Sequence, residues 1–84
     1  MARHRWHTER KITAQMLSSI RERAGLTQVE VAARLSKPQS HVSKYESGDR
    51  GLEMHEIRDV CLACDVEFAD FAKEFDARLE QSAD

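Results

Sequence analysis

Four polar side chains crowd into six positions: Gln39, Ser40, Ser43 and Lys44. In a helix they take the outer side, while Val42 and Tyr45, three apart, turn inward. Side chains of these types can read the edges of bases. A glutamine amide donates and accepts at once, which matches adenine, and a lysine ammonium suits O6 or N7 of guanine. Serines are smaller donors or acceptors, and His41 beside them has the reach to meet a phosphate. The plain alternative is that these residues are simply the solvated face of a short helix.

The elements that must position them are legible around the same stretch. Thr27 and Glu30 form the T-x-x-E capping box that starts a helix, with Leu26 and Val31 as its hydrophobic staple. Val31, Ala32 and Leu35 give that helix one apolar face. Ser36-Lys37 then reads as a turn. Pro38 disfavours a helical Lys37 and suits a first helical position, so the next helix is expected to begin at Pro38 with Lys37 as its cap. Gly48 ends it as a left-handed stop.

Two short helices joined by such a turn define a helix-turn-helix, in which the second helix enters the major groove. The stretch from Ile20 to Arg50 resembles the phage repressor and Cro type of this motif, the XRE family, at Arg21, Gly25, Leu26, Thr27, Gln28, Ala32, Ser43, Glu46 and Gly48. With Leu17 and the helix that follows the loop, the resemblance spans roughly residues 14–66. It implies that Gln39, Ser40 and Lys44 are the main base contacts. It also implies a structural ion pair between Arg21, which otherwise interrupts an apolar helix face, and Glu46 at the end of the reading helix; the bland version is two unrelated surface charges.

Phosphate contacts carry no base identity but fix the register. Thr27 and Gln28 stand at a helix N-terminus, whose dipole favours an anion, and Lys37 and Arg50 flank the reading helix. The role of Arg34 is open. The first thirteen residues are expected to be a basic arm plus the start of helix 1, which begins near Thr8 or Thr13 and carries Ile12, Met16, Leu17, Ile20 and Ala24 inward before Gly25 stops it. Arg3, Arg5, Arg10 and Lys11 around Trp6 could enter a minor groove, although a frayed tail is the commoner outcome.

After the loop 48–53, a fourth helix from Glu53 or Met54 to Cys64 turns Ile57, Val60, Cys61 and Cys64 inward behind Leu52. Asp65 must then accept a left-handed conformation or give way to a longer exit. A fifth helix, roughly 67–80, carries Phe68, Phe71, Phe75 and Leu79 on one stripe. That stripe either closes the core of one chain or continues into a contact with a second copy.

Several classes are excluded by size and pattern. Eighty-four residues form one small domain with little room for an enclosed active site. Neither a membrane span nor a signal-peptide core is evident, so a cytoplasmic location is expected. Cys61-x-x-Cys64 falls in the last turn of a helix on its apolar face, which suits buried thiols better than redox or zinc chemistry, and the four histidines lack finger spacing. Net charge is −2, but residues 1–50 carry ten Lys/Arg against five Asp/Glu, giving +5, and residues 51–84 carry three against ten, giving −7. A local basic face is what phosphate binding needs.

The expectation is therefore an all-α, five-helix lambda-repressor-like domain with the motif in helices 2 and 3, and with 67–84 as a terminal helix and acidic tail. The resemblance implies a non-enzymatic, sequence-specific regulator of transcription, a repressor, that binds an inverted repeat in double-stranded DNA as a homodimer. No cofactor, metal, membrane or small-molecule ligand is expected. The alternative on the same fold is an antitoxin-like or adaptor module that grips a protein partner through its terminal helix.

Overall fold

The computed structural model describes residues 2–82, with side chains from Thr8 to Ser82. Five helices follow one another: α1 (Ala2–Arg23), α2 (Gln28–Leu35), α3 (Gln39–Ser47), α4 (Met54–Ala63) and α5 (Phe68–Ser82). No strand occurs among the described residues.

α1 starts well before the expected position. Residues 2–13 contain neither glycine nor proline, so nothing interrupts a helix once it has formed. Thr13, an expected start, lies inside it, and its hydroxyl donates back to the Glu9 carbonyl at 2.8 Å. The expectations for the side chains of Arg3, Arg5 and Trp6 fall outside the described residues.

α1 is the spine, packing against α3, α4 and α5, while α2 packs on α3 and α4. The core draws Ile12, Met16, Leu17 and Ile20 from α1, Val31 and Ala32 from α2, and Val42 and Tyr45 from α3. Val60, Cys61, Cys64 and Phe71 complete it from the other side. Ala24, expected inward, is exposed because α1 ends at Arg23, one residue earlier.

Three helices end by the same backbone device, in which one N–H reaches back five residues and the preceding N–H reaches back three. Leu26 and Gly25 donate to the Arg21 and Glu22 carbonyls, Lys37 and Ser36 to Ala32 and Ala33, and Val66 and Asp65 to Cys61 and Leu62. The pivot residue is left-handed each time: Gly25 at φ 74°, Ser36 at φ 57° and Asp65 at φ 59°. Asp65 thus adopts the left-handed form that its position demanded. Gly48, at φ 86°, closes α3.

One boundary differs from the sequence reading in a way that matters for the turn. Pro38 does not open α3 with Lys37 as cap; it is itself the N-cap, extended at ψ 157°, and its carbonyl accepts the His41 N–H at 3.0 Å. The fixed φ of proline suits both states, so only ψ decides between them.

Candidate nucleic-acid interface

The joint between α2 and α3 is Ser36-Lys37-Pro38, and its shortness sets how α3 is presented. Val42 is fully buried and Tyr45 nearly so, at 2% exposure, which pins the inner side of α3. Gln39, Ser40, Ser43 and Lys44 are consequently all exposed on the other side. The structure brings the four expected base-reading groups onto one open surface.

The start of α2 has the expected reciprocal cap. The Glu30 N–H donates to the Thr27 hydroxyl oxygen at 3.1 Å, and the Thr27 N–H donates to the Glu30 carboxylate at 2.8 Å. The Thr27 N–H, and after it the Thr27 hydroxyl, hold the Glu30 carboxyl below its usual pKa. The cap also places a negative charge at this helix end.

Arg21 and Glu46 form the expected pair. Arg21 Nε donates to Glu46 Oε2 at 2.7 Å and Nη2 donates to Oε1 at 3.1 Å, a two-pronged geometry with side chains 13% and 7% exposed. The bond to Glu46 raises the Arg21 pKa above its ordinary value. A further prong was not foreseen: Arg21 Nη1 donates to the Leu26 carbonyl at 2.8 Å, so the same guanidinium also fixes the α1–α2 turn.

From Glu46 the network runs outward. Gln28 Nε2 donates to Glu46 Oε1 at 3.0 Å, and Gln39 Nε2 donates to Gln28 Oε1 at 3.3 Å. Gln28, expected to contact phosphate, therefore also orients Gln39, the first of the expected base-reading residues. Sequence spacing gives no sign of this link, because positions 28 and 39 belong to different helices.

Lys37, just before α3, and Arg50, just after it, are exposed, and His41 is half-buried with its ring edge-on to Tyr45, at 5.6 Å and 81°. Burial lowers the His41 pKa, and the nearby positive charges of Arg50 and Lys37 lower it further. Lys37, His41 and Arg50 thus share one electropositive neighbourhood beside α3.

Arg34 turns out to be structural: its Nη1 donates to the Ala63 carbonyl at 2.7 Å, tying α2 to the end of α4. Cys61 and Cys64 are buried free thiols, and burial pushes Cys61 up to about 11. On α5, Phe71 is buried, whereas Phe68, Phe75 and Leu79 are half-buried against the core. No helix among the described residues is long and apolar enough to cross a membrane.

An exposed polar α3, wedged from behind and linked through a largely buried ion pair to α1, defines a helix-turn-helix domain. The helix-turn-helix family pattern matches residues 17–71. The fold is similar to that of an XRE-family-like protein from Pseudomonas syringae pv. tomato str. DC3000, with 34% identity over 84% of this chain and 87% of that one and a TM-score of 0.79. It is also similar to that of the clp gene regulator ClgR from Corynebacterium glutamicum, with 24% identity over 89% and 80% of the respective chains and a TM-score of 0.78. No functionally curated protein matches the sequence. The chain belongs to the XRE family of helix-turn-helix DNA-binding proteins.

Proposed function

We propose that this chain is a sequence-specific regulator of transcription that represses by seating α3 in the major groove of an inverted-repeat operator, as a dimer. The observation that carries the reading is the chain of bonds from Arg21 through Glu46 and Gln28 to Gln39, which holds a base-reading amide on an exposed face. Gln39, Ser40, Ser43 and Lys44 read bases, while Thr27, Gln28, Lys37, His41 and Arg50 meet phosphates. The half-exposed edges of Phe68, Phe75 and Leu79 supply the contact with the second copy.

Selection of binding sites from random duplexes tests this. The expected product is an inverted repeat with half-sites about one helical turn apart. Gln39→Ala and Lys44→Ala should cost ~1–3 kcal/mol at particular bases, and Arg50→Ala should weaken all sequences alike and reduce the salt slope by about one. Failure to select any duplex, or indifference to all three changes, overturns the proposal.

A protein-partner role is favoured by one observation: α5 presents the exposed acidic residues Asp70, Asp76 and Glu80 beside its half-buried aromatic stripe. A stoichiometric protein partner together with no selectable DNA would establish that role instead.

A further inference from the structure

Gly51 has no conformational reason to be glycine, since its φ lies outside the left-handed region where Gly25 and Gly48 sit. Its reason is spatial. A Cβ at this position would lie 2.7 Å from Arg10 Nη2, 3.1 Å from Cζ and 3.5 Å from Nε, so the Arg10 guanidinium lies directly over the Gly51 backbone. Arg10 and Arg50 also line one cleft of about 240 Å³ between α1 and the α3–α4 loop, with Glu9, Thr13, Leu52 and Phe75.

We infer that Arg10 is a positioning residue for DNA binding: it clamps the loop at Gly51 and so holds Arg50 toward a backbone phosphate. The inference rests on the DNA-binding reading and goes beyond the helix-turn-helix itself, because Arg10 belongs to the first half of α1, ahead of the matched residues 17–71. The loop that carries Arg50 has glycine at 48 and 51 and needs restraint on both sides. On one side the Arg50 N–H donates to the Lys44 carbonyl at 3.2 Å. On the other, Arg10 covers Gly51.

The group that a Cβ at 51 would meet is the far end of a flexible side chain, so Gly51→Ala displaces Arg10 and leaves the backbone in place. That permits a double-mutant cycle with Arg10→Ala, read as affinity for a selected duplex and for unrelated duplexes over a range of salt. Arg10→Ala should weaken every duplex about three- to tenfold with an unchanged salt slope, whereas Arg50→Ala lowers the slope by about 0.9. Gly51→Ala should reproduce the Arg10→Ala loss alone and add nothing to it in combination.

A slope reduced by about one in Arg10→Ala would make Arg10 a phosphate contact and overturn the positioning role. Equal Gly51→Ala losses in both backgrounds, or no loss in Arg10→Ala, would overturn it as well. Thermal melting of the same four chains reports the Arg10–Gly51 contact without DNA. A wild-type chain that melts cooperatively yet binds no duplex overturns the DNA-binding reading together with this inference, whereas binding without Arg10–Gly51 coupling overturns the inference alone.

Discussion

The Gln39 side-chain amide donates to the Gln28 side-chain oxygen across 3.3 Å, so the residue proposed to read a base is held by one proposed to meet a phosphate. The bond joins the first residue of α2 to the first residue of α3 across the turn.

The first prediction concerns that pair. Gln39→Ala should abolish discrimination at one base pair per half-site, and Gln28→Ala should both weaken binding and blur the same position. Because the two share a bond, the double variant should fall short of the summed losses by roughly 0.5–3 kcal/mol. Mobility shifts on the operator and its single-base variants measure this, and strict additivity would count against the shared bond.

A second prediction addresses the ion pair beneath it. With both side chains largely buried, Arg21→Ala or Glu46→Ala leaves an uncompensated charge and should lose ~3–5 kcal/mol of unfolding free energy. Replacing both, as Arg21→Met with Glu46→Leu, should restore most of the stability but not the DNA affinity, since Gln28 loses its acceptor. Urea denaturation alongside a binding isotherm separates the two outcomes.

pH provides a third. His41 in the fold has a pKa below its ordinary value near 6.5, so it resists protonation and free-chain stability falls as pH drops through and below that value. A neighbouring phosphate acts in the opposite sense, raising the pKa. Binding should then take up a proton, and DNA affinity should rise as pH falls through the same window. Lys37 and Arg50 oppose that protonation and Glu56, facing from α4, favours it. Affinities at pH 7.5 and 6.0 should differ in the wild type and converge in His41→Gln.

Ser36 is the subject of the fourth. A left-handed serine carries a steric cost of about 1–2 kcal/mol that glycine avoids, partly offset by the greater freedom of an unfolded glycine. Ser36→Gly should therefore raise unfolding free energy by about 0.5–1 kcal/mol with DNA affinity unchanged. A stability loss would mean that the serine side chain contributes something the backbone geometry does not show.

How much of this was legible in the sequence depends on the range of the interaction. The Thr27–Glu30 box, the apolar spacing of α3 and the stops at Gly25 and Gly48 are local, and types and spacing alone identify them. The Arg21–Glu46 pair spans 25 positions and was reached through resemblance to a family. Gln28–Gln39, Arg34–Ala63 and Arg10–Gly51 join separate elements with no periodic signature, so only the assembled fold reveals them. The early start of α1 has no periodic signal, because residues 2–7 show no apolar period, although they contain no residue that would break a helix. Pro38 stands one step ahead of the expected helical position because its ring constrains φ and leaves ψ free.

The joint at Ser36-Lys37-Pro38 is bonded into α2 at one end and into α3 at the other, with no slack residue between. Val42 and Tyr45 fix which side of α3 faces the core, and the joint fixes where α3 begins relative to α2. A single insertion there would leave both helices able to form and the same side of α3 buried, yet free α3 to shift against α2 and break the Gln28–Gln39 bond. Changes of length in this short hinge thus loosen the register between the two helices before they unfold either one.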